Sequence, residues 1–278
     1  LSYSMRFSTV ILILILSFIL FQQLSFGQVW DIDTGNKKPV PYPPLREADV
    51  FWCKRIWRVI DFRQKINLPY YYPTSEIKDR KSLMQVILQG IQDSSITAYD
   101  AASDEFLVQL SWDEIIGQLS ETDTLTLTRI DPPYDEYDTI INKNFDPGSV
   151  KQVRLQEDWF FDKQRSVMDV RIIGLCPIVE VYEEDGVTLK GYKPLFWIYF
   201  PQARNVFVKN YIFNRFNDAA RLTYDDVFMK RIFSSTILKE SNVYDRKINE
   251  YAKGMDALLE SERIKNEIFL FEHDLWEY

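Results

Sequence analysis

The stretch that decides the fold is residues 51–67, which read FWCKRIWRVIDFRQKIN. Apolar residues recur there at spacings of three and four, which is typical of one face of an amphipathic helix. These residues are Trp52, Ile56, Val59 and Ile60. Charged residues, including Lys54, lie on the other side. Asp61 follows Arg58 by three positions and precedes Lys65 by four, and these are the separations at which charged side chains pair along a helix. The pattern therefore predicts a helix.

A second face of this predicted helix is also apolar. Phe51, Trp57 and Phe62 lie outside the first apolar stripe, so this chain or another one must bury them. The stretch contains two faces to bury and no residue with an evident catalytic role. It therefore indicates a structural part in an assembly.

The first 27 residues have the order of a secretory signal peptide. Arg6 stands in a short polar start, an uninterrupted apolar run covers residues 10–16, and small residues precede Gln28. An apolar run this short favours a cleaved signal, although an uncleaved membrane anchor is the alternative. No cysteine lies near the cleavage point, which disfavours a lipid anchor. We expect cleavage near Gly27 and Gln28 and a soluble exported protein.

The charge balance disfavours nucleic acid as a partner. The 278 residues include 33 basic and 41 acidic side chains, a formal net charge of −8 with histidine neutral. Such a chain is repelled by phosphate backbones and by anionic lipid surfaces unless it carries a local basic patch. Aromatic residues make up 15% of the chain, which indicates an extensive buried surface.

The two cysteines, Cys53 and Cys176, allow two interpretations. In an oxidising compartment they are candidates for a disulfide, which would close a long loop and stabilise the fold. Each also has an apolar neighbour, Trp52 and Leu175 respectively, and cysteine in such surroundings behaves as a small buried hydrophobe. Both interpretations stay open because the sequence gives no distance between the sulfur atoms.

The order of predicted elements favours an α+β fold. Residues 28–46 are rich in proline and are expected to form an extended arm that is mobile or lies across a neighbouring subunit. Residues 47–130 are predicted to be helix-rich with short strands, and residues 131–149 to form a loop or linker. Residues 150–278 are predicted to form an antiparallel sheet of β-hairpins, followed by C-terminal helices.

Local signals predict several element boundaries. Apolar spacing predicts a helix from about Asp79, and another from about Asp245 to the end of the chain. Two pairs have the spacing of helix N-terminal caps. They are Ser111 with Glu114, and Thr223 with Asp226. Residues 183–186, which read EEDG, predict a hairpin turn.

Several classes of catalytic chemistry lack the residues they need. The chain has one histidine, His273, so motifs that require two histidines are excluded, and a serine–histidine–aspartate arrangement would depend on this one residue. No glycine-rich phosphate-binding motif is present. We therefore predict a protein that is not an enzyme and needs no metal or cofactor.

Carboxylate chemistry is the alternative that remains. Glycoside cleavage needs two carboxyl groups, and three acidic clusters offer them: residues 157–158, 183–185 and 225–226. Residues 70–72, all tyrosine, together with Trp159 offer rings that stack on sugars. Acids are common in an acidic chain, however, and negative charge is favoured at a helix start such as residues 225–226. A glycoside hydrolase or sugar-binding protein is therefore the weaker hypothesis.

Five features in a specific order carry a family resemblance. An export signal ends before Gln28, and three later segments read EDWFFDK at 157–163, RIIG at 171–174 and KESNVYDR at 239–246. The remaining feature is the spaced set Trp52, Lys54, Arg58, Asp61, Arg63, Lys65 and Asn67, followed by Tyr72 and Pro73. Together they resemble the gliding motility GldN/PorN family of Bacteroidetes, periplasmic components of the type IX secretion system. The resemblance extends from about Arg46 to about Ile248.

This resemblance implies a non-enzymatic scaffold. Proteins of the family assemble with an outer-membrane lipoprotein of the GldK/PorK type into a large periplasmic ring beneath the outer membrane. The ring also meets the periplasmic shaft of an inner-membrane motor, a protein of the GldM/PorM type. We accordingly expect self-association into a ring, and a periplasmic location at the outer membrane through the lipoprotein.

The residues favour an interface independently of the resemblance. A ring subunit needs head-to-tail faces, and the centres of such interfaces favour tryptophan, tyrosine, phenylalanine and arginine. The predicted interface residues are Trp52, Arg55, Trp57, Arg58, Arg63, Lys65, Trp159 and Phe160. For the aromatic residues, packing in the chain's own core is the alternative interpretation. For the basic residues, contact with a partner is favoured, because desolvated arginine suits subunit contacts.

Overall fold

The structure is a computed structural model of the chain. It describes residues 37–77, 80–119, 145–183, 188–215, 217 and 219–275 in full, and the backbone of two strands between residues 121 and 143. The strands are Val50–Asp61 (β1), Ala98–Asp100 (β2), Gln109–Leu110 (β3), Glu121–Thr128 (β4), Glu136–Lys143 (β5), Val150–Asp162 (β6), Val167–Tyr182 (β7), Leu189–Pro194 (β8), Phe196–Tyr199 (β9), Tyr211–Ile212 (β10), Leu222–Thr223 (β11) and Thr236–Glu240 (β12). The helices are Leu68–Tyr71 (α1), Leu83–Gln92 (α2), Trp112–Leu119 (α3), Phe200–Phe207 (α4), Tyr224–Met229 (α5), Ile248–Tyr251 (α6) and Met255–Asp274 (α7).

An antiparallel sheet of eight strands organises the fold. Its order is β12-β1-β6-β7-β9-β2-β3, and β8 pairs with β7 beyond the end of β9. The strands β4 and β5 form a separate hairpin, so β5 lies within residues 131–149, which were predicted to be a loop. The mixed α+β class is confirmed. The prediction that the sheet belongs to the second half of the chain is wrong, because β1 is one of its interior strands.

The prediction of a helix over residues 51–67 is also wrong, since β1 occupies most of that stretch. Residues four apart share a face in a strand as well as in a helix, so the spacing of Trp52, Ile56 and Ile60 fits both. Strict alternation of apolar and polar residues is missing because both faces of β1 contain buried side chains, Ile56 on one and Trp57 on the other. β-branched and aromatic residues dominate the strand, and these are the residues that fit a pleated surface.

The larger core lies where helices α2, α4 and α5 cover one face of the sheet. Ile60, Leu155, Leu175 and Ile198 are fully or almost fully buried in this core. Leu155, Leu175 and Ile198 stand opposite one another in adjacent strands, so they share that face. A group of aromatic rings packs beneath the helices: Tyr70, Phe200, Phe207, Tyr224 and Phe228. Burying each such side chain contributes about 1.5–3 kcal/mol.

The C-terminal helix α7 covers the edge formed by β1 and β12. Ile264 and Ile268 are buried against Ile56 and Ile237 in a second, smaller core. The predicted single helix from about Asp245 is instead two helices, α6 and α7, separated by a break at Gly254, whose φ of +59° suits glycine.

The predicted helix caps are confirmed. The Glu114 carboxylate accepts hydrogen bonds from the backbone N–H and the hydroxyl of Ser111 at 2.7 and 2.8 Å. Thr223 and Asp226 form a reciprocal capping box at the start of α5. Helix α2 begins after its own cap, Ser82, rather than at Asp79, which lies outside the described residues.

The described part of the proline-rich arm lies against its own chain. The Arg204 guanidinium donates a hydrogen bond to the Val40 carbonyl at 2.7 Å, and Arg171 donates to the Pro43 carbonyl at 2.6 Å. The ring of Tyr42 lies 4.6 and 5.2 Å from the two guanidinium carbons. Cation–π contacts and charged hydrogen bonds therefore hold residues 37–46 in place.

Candidate functional site

A buried carboxylate, Glu157, pairs with two arginines in the interior of the described chain. Glu157 is on β6 and completely inaccessible to solvent. Its Oε2 lies 3.1 Å from Nε of Arg58, and its Oε1 lies 2.8 Å from Nη1 of Arg231. Trp159 donates its indole N–H to Oε2 at 3.0 Å. Two arginines and one indole therefore satisfy this carboxylate.

The arginines around Glu157 are stabilised by an aromatic ring as well as by charge. Their guanidinium carbons lie 5.5 Å (Arg58) and 5.2 Å (Arg231) from the Trp159 ring centroid. Burial lowers the pKa of Arg58, and attraction to Glu157 opposes that change. Arginine remains charged nonetheless. The cluster therefore links β1, β6 and the segment after α5.

The cluster lies beside a cleft between the sheet and α7. The cleft encloses about 740 Å³. Its lining residues are Arg58, Trp159, Arg231, Phe233, Ser234, Ser235, Glu262, Lys265, Asn266, Ile268, Phe269 and Glu272. Because Glu157 already accepts hydrogen bonds from Arg231 and Trp159 and pairs with Arg58, it is not placed to act as an acid or base on a substrate.

Three predicted interface residues, Trp57, Arg58 and Phe160, are buried within the chain. The Trp57 indole donates a hydrogen bond to Asp104 at 2.7 Å, and Phe160 lies under the guanidinium of Arg171 at 5.3 Å. Direct contact of these side chains with a partner does not fit this burial. Packing in the chain's own core, the alternative interpretation, describes Trp57 and Phe160, and Arg58 serves the internal cluster.

The other two tryptophans predicted at the interface, Trp52 and Trp159, are half-buried near α7. Trp52 stacks on Phe271 of that helix with ring centroids 4.8 Å apart, and Trp159 belongs to the cluster around Glu157. Both side chains therefore connect the sheet to α7.

The predicted basic residues Arg55, Arg63 and Lys65 do lie at the surface. Arg55 forms two hydrogen bonds with Asp158, at 2.6 and 2.9 Å. Arg63 pairs with Asp61 and, at 2.9 Å, with Glu180; hydrogen bonding to Asp61 raises the pKa of this arginine. These residues are accessible, but Arg55 and Arg63 already have partners within the chain.

Lys65 lies at the rim of an apolar groove that sequence analysis did not predict. The groove encloses about 480 Å³. It is lined by Lys65, Leu68, Pro69, Tyr72, Pro73, Ile77, Arg80, Lys81, Tyr211, Phe213 and Arg215. Tyr72 and Pro73 were part of the family resemblance, but Tyr211 and Phe213 come from a distant part of the chain. No local sequence signal connects these two segments.

Helix α7 presents a second exposed apolar surface. Its exposed apolar side chains are Met255, Leu258, Leu259, Phe269 and Leu270, each at least half exposed, and Phe269 also borders the cleft beside Glu157. Single exposed apolar residues are normal, whereas several on one helix are typical of an interaction site. Sequence analysis did not predict this surface either, because sequence alone does not show which side of a helix packs inward.

The carboxylates considered for glycoside cleavage have structural partners. Asp158 pairs with Arg55, Asp225 pairs with the buried Arg204 at 2.7 Å, and Asp226 caps α5. Glu184 and Asp185 lie outside the described residues. Within the described ranges, no group of three histidine, cysteine, aspartate or glutamate residues is arranged to hold a metal ion.

Cys53 and Cys176 are free in the structure. Cys53 on β1 is opposite Phe160 of β6, and Cys176 on β7 is opposite Arg154 of β6. Six residues of strand separate these positions, a distance of about 20 Å. This geometry argues against the disulfide interpretation, and the fully buried Cys176 fits the alternative of a small hydrophobe.

None of the helices in the described part of the chain is long and apolar enough to cross a membrane. Residues 45–277 match the family model described as gliding motility associated protein GldN. The match includes the Glu157 cluster, the groove and α7. A comparison with curated proteins gave no match.

Proposed function

The chain belongs to the GldN family of gliding motility associated proteins, and we propose on that premise that it is a non-catalytic structural subunit of the periplasmic ring. Family membership implies a role in the gliding motility and type IX secretion machinery. In our proposal the protein resides in the periplasm and is held at the outer membrane by a lipoprotein of the GldK/PorK type. It also meets a motor shaft protein of the GldM/PorM type.

The observation that carries this proposal is the family match over residues 45–277. The physical features of the molecule support it. A scaffold must keep its shape under load, and the sheet is stiffened by helices on one face and by the ionic cluster at Glu157. It must also offer surfaces to partners, and the groove and the exposed side of α7 are such surfaces.

The mechanism we propose is the transmission of mechanical load. Long antiparallel strands such as β6 and β7 are cross-linked by backbone hydrogen bonds along their length, so a force applied at one end is shared by many bonds. The protein would hold the geometry of the ring while the motor delivers work, and it would need no cofactor.

The test is the native mass of the mature protein, alone and with the GldK/PorK-type lipoprotein lacking its lipid. Size-exclusion chromatography with light scattering should show a large complex that contains both proteins. A protein that elutes as a monomer and ignores the lipoprotein at micromolar concentration would overturn the proposal.

A further inference from the structure

We propose that copies of this chain associate head to tail, with the C-terminal half of α7 of one copy seated in the apolar groove of the next. The inference deepens the proposed function, on which it rests, by naming the two surfaces that join neighbouring subunits. It depends on two exposed surfaces whose apolar content and charge are complementary.

The groove offers an apolar floor with a basic rim. Tyr72, Ile77 and Phe213 are 54%, 48% and 45% exposed, a concentration of apolar surface that water solvates poorly. Lys65 and Arg80 stand among the lining residues, and no acidic residue belongs to the lining that the structure describes. The groove therefore fits an apolar segment that carries negative charge.

The C-terminal half of α7 has that chemistry. Phe269 and Leu270 are adjacent and are 65% and 55% exposed. Glu272 and Asp274 follow them closely, whereas Glu267 already pairs with Arg263 at 2.9 Å. The C-terminal end of a helix also carries partial negative charge from its free carbonyl groups. This surface therefore complements the groove in both apolarity and charge.

The size of the groove is compatible with this occupant. Its volume of about 480 Å³ lies in the range of about 300–1,000 Å³ typical of pockets that enclose compact apolar groups. One phenylalanine and one leucine side chain are groups of this kind. A helix inserted through a few apolar side chains is a common mode of protein recognition.

The arrangement of the two surfaces determines the kind of assembly. No residue of α7 lines the groove, so a single copy presents both surfaces at once. Contacts between two different surfaces are heterologous, and they produce a ring when the rotation between copies closes. This is the symmetry that a ring subunit requires.

Two variants test the proposal. The helix variant carries Phe269→Glu and Leu270→Glu, and the groove variant carries Lys65→Glu and Phe213→Glu. Each should raise the dissociation constant of self-association by about 30-fold or more, the effect of losing one hot-spot residue. Val243→Glu is the matched control, because Val243 is 98% exposed and outside both surfaces. Analytical ultracentrifugation over a range of concentrations measures all four proteins.

Mixing the variants gives the decisive result. The helix variant keeps an intact groove and the groove variant keeps an intact α7, so an equimolar mixture should form a 1:1 dimer and nothing larger. Only folded proteins can form this dimer, so the result does not depend on the variants being as stable as the parent. Mixed variants that stay monomeric, with circular dichroism unchanged from the parent, would overturn the inference.

A lipoprotein pull-down separates this inference from the proposed function. Variants that do not self-associate but still bind the GldK/PorK-type lipoprotein would support both. A parent protein that binds the lipoprotein but never self-associates would overturn the inference alone. A groove variant that loses only lipoprotein binding would assign the groove to that partner and overturn the inference as well.

Discussion

Two neighbouring carboxylates, Glu157 and Asp158, bind arginines on opposite faces of the same pair of strands. Glu157 and its partner Arg58 have side chains that are 0% and 7% exposed, whereas those of Asp158 and Arg55 are 23% and 44% exposed. The residue types are almost the same, and the closest nitrogen–oxygen distance is 3.1 Å in the buried pair and 2.6 Å in the exposed pair. The comparison shows that depth of burial, rather than the presence of an ion pair, decides what each pair does.

The physical reason is solvation. At the surface, water screens the charges and the pair contributes about 0–1 kcal/mol. In the interior, removing one partner leaves an unpaired charge without water, which destabilises a protein by about 3–5 kcal/mol. The Glu157 pair is therefore expected to be essential to the fold, and the Asp158 pair to be dispensable for it.

The largest predicted effect is that of Glu157→Gln. This change preserves the shape of the side chain but leaves Arg58 and Arg231 without their counter-charge, so the free energy of unfolding should fall by about 3–5 kcal/mol. Equilibrium denaturation in urea measures it, with Asp158→Asn as the neighbouring control. If both variants lost the same free energy of unfolding, the buried pair would be no more important to stability than the exposed pair.

A smaller effect is predicted for Gly174→Ala, on the face that carries Asp158. A Cβ atom at this position would lie 2.5 Å from the Phe106 ring and 3.1 Å from Trp197. The overpacking should destabilise the protein by about 1–3 kcal/mol in the same urea assay. Gly191→Ala is the control, because its Cβ would meet no atom within 4 Å. If Gly174→Ala and Gly191→Ala had the same free energy of unfolding, the Phe106 ring would not be packed tightly against residue 174.

Arg55→Ala should have a still smaller effect. Loss of the exposed pair with Asp158 is expected to lower the free energy of unfolding by about 0.2–1 kcal/mol. The difference from the parent should shrink in 1 M salt, where charges are screened within about 3 Å. A loss above 2 kcal/mol that salt does not change would show that this pair is as important as the buried one.

The last prediction concerns the reactivity of the two cysteines and perturbs the protein least. Burial raises the pKa of Cys176 to about 12, so at pH 8 almost none of it is the reactive thiolate. Cys53 is exposed, although burial of its sulfur and the Asp158 charge raise its pKa as well. A thiol reagent should therefore label Cys53 alone in the native protein and both cysteines after denaturation without reductant. No labelling after denaturation would demonstrate a disulfide instead.

Sequence reasoning succeeded where the determining contacts are local. The caps at Ser111 and Thr223 depend on residues three positions away. The strands on either side of the turn predicted at residues 183–186 pair as β7 and β8, while residues 184–186 themselves lie outside the described residues. The mixed α+β class follows from such local signals. The family resemblance also needed only short segments in order, and the match over residues 45–277 confirms it.

Sequence reasoning failed where a residue's contacts come from distant parts of the chain. The helix predicted over residues 51–67 is a strand because β6 and β12 pair with it, from about 100 and 180 residues away in the chain. Arg58 was assigned to a partner surface because its own carboxylate, Glu157, and the second arginine, Arg231, are remote in sequence. The groove joins residues near Tyr72 to Phe213 for the same reason.

The sequence by itself therefore determined the family, the fold class and the local ends of several helices, because these depend on residue types at short spacing. Only the tertiary structure decided which aromatic and charged residues are buried and which apolar surfaces remain open. The physical reason is that burial depends on which distant segments pack together, and the energy of an ion pair or an exposed ring depends on that burial.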